Sequence, residues 1–254
     1  IIFELRCICF YYIHTIKYNK SNGMPSNAVF NVFQDGKGFM WFASNAGLTR
    51  YDGFEYKTYT SPKQTSTPGS SIVEDKLGRI WYENFDELIC WDYLNVISFK
   101  AHRKLFGNKI TSINQLADST ILVATNGSGL RFIKNGKITD SLNTSNGLSS
   151  DICRRIFVEG ESVYVATNSG FTRFRWVHNR ITQIERFSVI DGLLSDDIND
   201  IVTDSANIYL ATSIGLCIMD KNIKLKMSLP PIVRITEVYH RNKRILNFDE
   251  LRFK

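Results

Sequence analysis

Apolar positions along the chain fall in runs of four to eight residues, broken by Gly, Asn, Asp and Ser, and no stretch keeps a helical apolar period over helix length. The pattern predicts strands joined by short turns. Its first passage places strands at Asn27–Gln34, Phe39–Ser44, Gly47–Tyr51 and Phe54–Tyr59, with turns at Asp35–Gly38 and Asp52–Gly53. The same order returns from Ser71, Ile110, Asp151 and Asp197.

One phrase recurs at the second strand: Trp41-Phe-Ala-Ser44, Leu122-Val-Ala-Thr125, Tyr164-Val-Ala-Thr167 and Tyr209-Leu-Ala-Thr212, with a degenerate copy at Trp81-Tyr-Glu-Asn84. The anchors are 40, 41, 42 and 45 residues apart, the period of a four-stranded propeller blade. Both faces of this strand are apolar, as suits a sheet held between two others. A bulky residue followed two places later by alanine lets one sheet interlock with the next, so Ala43, Ala124, Ala166 and Ala211 are expected to be buried between blades. A single blade cannot bury two apolar faces, and the copies must stack radially. The fold class is all-β, a β-propeller of about five four-stranded blades, closed in itself or part of a larger propeller. The blades span about 21–61, 70–100, 108–140, 146–188 and 191–227 within a propeller region 21–228.

A glycine-containing loop precedes the first strand in three copies: Asn22-Gly-Met-Pro-Ser-Asn27, Asn146-Gly-Leu-Ser-Ser-Asp151 and Asp191-Gly-Leu-Leu-Ser-Asp196. With the run from Asp35 to Gly53 (DGKGFMWFASNAGLTRYDG), these loops closely resemble the two-component regulator propeller family over residues 22–220. Leu229–Tyr239 (LPPIVRITEVY) resembles the opening strand of the immunoglobulin-like triple-tyrosine domain that follows such propellers in hybrid sensor kinases, so 229–254 is expected to be the start of that domain. The chain opens on Ile1 and holds only a short part of that domain, and it is expected to be a fragment or a truncated protein. Closure of five blades needs an outer strand for the last. Residues 1–20 are expected to provide it through Phe10–Lys17 pairing with Gly215–Asp220, with Asn222–Met227 the competing candidate. Residues 1–13 are also apolar enough to be the tail of a signal segment, although Glu4 and Arg6 interrupt them.

Charge narrows the partners. The net charge of +6 lies entirely in the last 34 residues, where nine Lys/Arg face three Asp/Glu; residues 1–220 hold 22 of each. A neutral propeller with no basic stripe argues against nucleic acid as its partner. No membrane span is present, and the five cysteines (Cys7, Cys9, Cys90, Cys153, Cys217) form neither a CxxC motif nor an even set for a disulfide framework.

No catalytic constellation, metal-ligand spacing or cofactor motif is found, and the four histidines are scattered. The second blade departs from the pattern: Glu83 stands where the others have alanine, Glu87 where three have glycine, and Asp86 lies beside them. A carboxylate there needs a partner such as Arg50, Arg79 or Arg131, or an opening onto the channel where a ligand could meet it.

The resemblance implies an extracytoplasmic or periplasmic ligand-sensing module of a two-component sensor histidine kinase. Its partner would be a small molecule or oligosaccharide, and it leaves room for a homodimer formed through the longer protein. Rim loops rich in Asn, Ser and Asp suit hydroxylated ligands, and Asn45, Asn126, Asn168, Asp151 and Glu83 are the expected contacts. Turn chemistry uses the same residues. A non-catalytic interaction scaffold and a propeller glycan lyase or hydrolase are the alternatives.

Overall fold

Short apolar runs separated by Gly and Asp turns fold as antiparallel sheet throughout. The computed structural model describes residues 17–59, 71–84, 87–98, 108–223, 238–240 and 243–245. Four sheets are four-stranded meanders: β1 (Val29–Gln34) to β4 (Tyr56–Tyr59) with β2 (Met40–Ser44) and β3 (Gly47–Tyr51); β5 (Ile72–Glu74), β6 (Ile80–Asn84), β7 (Glu87–Trp91) and β8 (Val96–Ser98); β9 (Ile110–Gln115), β10 (Ile121–Thr125), β11 (Leu130–Lys134) and β12 (Lys137–Leu142); and β13 (Cys153–Glu159), β14 (Ser162–Thr167), β15 (Gly170–Val177) and β16 (Arg180–Phe187). The fifth has three strands among the described residues, β17 (Ile198–Thr203), β18 (Asn207–Thr212) and β19 (Gly215–Asp220). These sheets are the blades of a β-propeller. The residues from Lys224 onward form a separate unit in which β20 (Val238–His240) pairs with β21 (Lys243–Ile245). The expected opening strand of a triple-tyrosine domain, the closing strand Phe10–Lys17 and its competitor Asn222–Met227 fall wholly or largely outside the described residues.

The turn between the first and second strands is built around an aspartate. Asp35 accepts the amides of Lys37 and Phe39 on Oδ1 and the Trp41 indole N–H on Oδ2 at 2.8 Å. Asp75 repeats this with Leu77, Arg79 and the Trp81 indole at 2.7 Å, and adds the Arg79 guanidinium. In the fifth blade Asp204 caps Ala206 and Asn207 and takes the Tyr209 hydroxyl. The carboxylate satisfies turn amides and orients the bulky residue of the repeated phrase, so turn and core are set together.

The glycine loops are equally structural. Short 3-10 turns at Lys20–Asn22, Thr144–Asn146 and Val189–Asp191 end on Gly23, Gly147 and Gly192, all at positive φ. The next residue, Met24, Leu148 or Leu193, is buried. The last residue of the loop reaches back: Asn27, Asp151 and Asp196 accept the amides of Lys20, Thr144 and Val189.

Blades join through a fixed pair of faces. Trp41, Ala43 and Leu48 on the trailing face of blade 1 pack on Ile72, Ile80, Tyr82, Ile89 and Trp91 of blade 2. Trp81, Leu88 and Cys90 pack in the same way on Ile110, Ile113, Ile121, Val123 and Ile133. Leu122, Ala124, Leu130 and Phe132 meet Ile156, Val163, Val165, Phe174 and Trp176 of blade 4, with Phe132 stacked on Trp176. Inner strand meets inner strand along the series β1, β5, β9, β13 and β17, and no comparable contact joins β17 back to β1.

Five blades therefore form an open arc rather than a closed ring among the described residues. One expectation is corrected by this: Ala43, Ala124 and Ala166 are buried, but Ala211 is exposed because no following blade among the described residues covers it.

Replacing Ala166 by Glu puts an unpaired charge into a packed junction and should cost about 3–5 kcal/mol, while Ala211→Glu should be near neutral; chemical denaturation of the two variants checks the blade register. Asp75→Ala should cost about 2–3 kcal/mol, because two turn amides and the indole N–H lose a charged acceptor. A melt within experimental error of wild type would mean that the turn holds without its carboxylate.

Candidate functional site

In a meander blade, the turns between second and third strands lie on the same rim as the loops that lead to the next blade. The rim is most tightly built between blades 3 and 4. There the amides of Gly127 and Gly129 donate to the Asp151 carbonyl, Asn126 bridges to Ile152, and the Asn168 amide donates to the Ile152 carbonyl. Ser149 ties the same loop to blade 4 through Thr172 and Thr167. Asn126, Asp151 and Asn168 are thereby brought to one stretch of rim.

Their chemical freedom differs. Both Asp151 carboxylate oxygens serve Thr144, one taking its amide and the other its hydroxyl, so the residue caps its own loop. Asn126 is exposed. Asn168 is half-buried, and its Oδ1 is shielded from solvent with no hydrogen-bond partner, an acceptor open to a donor. Asn45 is exposed in the corresponding turn of blade 1, two blades away.

Glu83 does not open onto the channel. It is buried, and its Oε1 accepts the Ser71 amide at 2.8 Å at the entrance to β5. Blade 2 thus uses a side chain to hold its inner-strand entry. Asp86 lies outside the described residues, as does the side chain of Glu87.

The inner strands carry a feature the hydrophobic pattern does not announce. In β1, β9, β13 and β17 the pairing register slips at the same place, so that Phe30, Thr111, Arg154 and Asn199 are extra residues displaced from the ladder. Bulges re-aim side chains at such sites. Thr111 Oγ1 donates to the Cys153 carbonyl of the next blade, and Arg154 donates to the Asn199 side chain and pairs with Asp197 at 2.6 Å. Arg155 faces Asp200 at 3.4 Å. The inner wall of blades 4 and 5 is therefore polar and charged next to the asparagine-bearing rim. The signal available in the sequence was the doublet of polar residues between Cys153 and Ile156 and between Ile198 and Ile201.

No group of three or more His, Cys, Asp or Glu residues could hold a metal ion among the described residues. Nor is any helix there long and apolar enough to cross a membrane. Burial pushes the Cys90 and Cys153 thiols up to about 12, so neither is a nucleophile at neutral pH. A raised folded-state value gives stability that is complete below the unfolded value of ~8.5 and is lost as pH rises toward about 12. Denaturation of the Cys90→Ala/Cys153→Ala variant should show a shallower alkaline loss of stability than wild type; equal slopes would place the loss elsewhere.

Residues 23–46 match the family model described as two component regulator propeller. They comprise the first glycine loop, β1, the Asp35 turn and β2. No curated protein matches the chain by sequence. Among solved structures, the extracellular domain of BT3049 from B. thetaiotaomicron, assigned as a hybrid two component system, is similar at a TM-score of 0.66 and 22% identity, over 82% of this chain and 30% of that one. The extracellular domain of BT4673 from the same organism, assigned as a one component system, gives 0.52 and 18% over 82% and 37%. Virginiamycin B lyase from Staphylococcus aureus, solved with quinupristin, gives 0.59 and 17% over 77% and 66%. The chain thus spans about a third of the two extracellular domains and just under two thirds of the lyase. Blade period, aspartate turns, glycine loops and the solved structures agree on the fold: the chain is a β-propeller whose residues 23–46 match the two component regulator propeller model.

Proposed function

We propose that this chain is an extracytoplasmic ligand-sensing propeller of a two-component sensor, with a hydroxylated, carbohydrate-like ligand docking on the rim without chemical change. The observation that carries the reading is the rim between blades 3 and 4, where exposed Asn126 and the unpartnered Oδ1 of Asn168 lie on either side of the Asp151–Ile152 loop. A sugar hydroxyl supplies the donor that Asn168 lacks, and the Asn126 amide offers both a donor and an acceptor. Arg154 and Asn199 on the adjoining inner wall extend the polar surface. Asn45 extends the same rim in blade 1. Asp151 supports the loop rather than the ligand, and Glu83 supports the entry to blade 2. The similarity to the extracellular domains of BT3049, assigned as a hybrid two component system, and of BT4673 supports the sensor role and the placement outside the cytoplasm. The kinase would belong to the longer protein, and so would the dimer.

A lyase reading draws on the similarity to virginiamycin B lyase. It requires a base and an acid facing one substrate position. The charged groups on the inner wall, Arg154 with Asp197 and Arg155 with Asp200, are engaged with one another. The sensor reading is therefore preferred to the lyase and to the plain scaffold.

Calorimetric titration against glycans selected on an array checks the reading. Asn168→Ala and Asn126→Ala should each weaken binding about tenfold, the worth of one well-placed hydrogen bond, and Asn45→Ala should weaken it less. Unchanged affinity in all three variants would move the site off this rim, and turnover of the glycan would favour the lyase.

A further inference from the structure

Two blades carry an arginine at the same place in the third strand, and only one of the two is satisfied. Arg173 pairs with Tyr164 on one side and Glu185 on the other, as Arg50 pairs with Trp41 and Lys57. Arg173 is engaged: it donates to the Glu185 carboxylate at 2.8 Å and to the carbonyls of Lys221 and Ile223. Arg50 has a cation opposite it in the ladder instead of a carboxylate. Its Nε is shut off from solvent with no acceptor, and among the described residues the guanidinium has no ion pair.

Aromatic rings wall the place where Arg50 sits, in the outer part of the junction between blades 1 and 2. The guanidinium carbon lies 4.5 Å from the centre of the Phe39 ring and 5.9 Å from that of Trp91. Tyr59 is 5.0 Å from Trp91 and 5.9 Å from Trp41, centroid to centroid, and its hydroxyl is a second buried group without a partner. Burial raises the Tyr59 hydroxyl above its ordinary value and the Arg50 charge works against that rise, so the group is a protonated donor at neutral pH. Tyr93 completes the wall, 4.2 Å from Trp91. It stands at φ 70°, where the identically capped turn of blade 1 has Gly53, a conformation that favours glycine and that persists in other residues chiefly at ligand clamps. Lys37 lies over the Tyr93 ring at 3.3 Å and Lys57 over the Tyr59 ring at 5.6 Å. The carboxylates around these groups are committed elsewhere: Asp35 to two turn amides, Trp41 and Tyr93, Glu74 to the Gly36 amide, and Asp52 to the amides of Phe54 and Glu55.

We propose that the outer part of the junction between blades 1 and 2 is an oxyanion site, where the Arg50 guanidinium and the Tyr59 hydroxyl hold a carboxylate, sulfate or phosphate group of a ligand. Donors that water does not reach are costly to leave unpaired, and an oxyanion brings several acceptors together with the negative charge that three cations lack. The planar guanidinium fork matches such a group in a way that a lone ammonium does not. The aromatic rings keep the fork in place and lower the local dielectric, which strengthens the charge-assisted bonds. The site is separate from the asparagine-bearing rim, so its failure and that of the rim reading are told apart by which residues matter.

Proton–nitrogen correlation spectra of the arginine Nε–H groups test this on the full chain, with acetate, sulfate and phosphate each exchanged for chloride at constant ionic strength. The signal missing from Arg50→Gln is that of Arg50, and the Arg173 signal serves as the control because Glu185 already holds that side chain. The Arg50 signal should shift saturably with at least one of the three anions, and the one that saturates at the lowest concentration names the preferred group. Tyr59→Phe removes a hydroxyl that has no partner, so circular dichroism and melting should match wild type, and affinity should fall about tenfold. Absence of saturation with all three anions overturns the proposal. So does an equal shift of the Arg173 signal, which would show a general salt effect, or an unchanged affinity in Tyr59→Phe.

Discussion

The blade-to-blade junction is the constraint on which the rest of this structure depends. Each sheet is apolar on both faces, and burial of apolar surface is the dominant favourable term in folding, so no blade is stable without neighbours. The repeated phrase serves that need in two ways. Its bulky first residue and its alanine build the trailing face, and the residue between them fills the leading face, as Val123 and Val165 do. Blades 3 and 4 have neighbours on both sides and hold most of the fully buried residues, including Phe132, Phe171 and Phe174. Blades 1 and 5 each leave one side open.

The polar residues of the repeat largely serve geometry. Asp35 and Asp75 hold turns and indoles, and Asn27, Asp151 and Asp196 close the glycine loops. The repeat does not use the rim asparagines and the bulge residues of the inner strands in this way. Because the bulge recurs at one height in four inner strands, Phe30, Thr111, Arg154 and Asn199 can vary from blade to blade without disturbing the junctions behind them.

Much of the fold was legible in the chain because the period-two pattern and the turn residues agree at every copy. The aspartate six residues before Trp41 and Trp81 shows why a turn signal and a core aromatic travel together. The open ends were not legible, since Ala211 has the same local sequence as Ala166 and differs only in what lies beyond its blade. Glu83 was legible as an anomaly but not as the acceptor of the Ser71 amide, because that contact joins β6 to the loop entering β5, twelve residues away. The bulges left only a faint trace, the polar doublets Arg154-Arg155 and Asn199-Asp200, because a register slip keeps the alternation regular on either side of it. Of the site, the asparagines were visible as residue types, while the unpartnered Asn168 Oδ1 emerged only from three-dimensional packing.

Hydrogen–deuterium exchange of the native chain tests the open arc most directly. Opening free energies in a repeat array follow the number of covered faces. Protection is predicted to peak in β10 and β14, at the centres of blades 3 and 4, and to fall toward β1 at one end and β19 at the other. Equal protection of β1, β14 and β19 would mean that the end faces are covered, and would contradict the account.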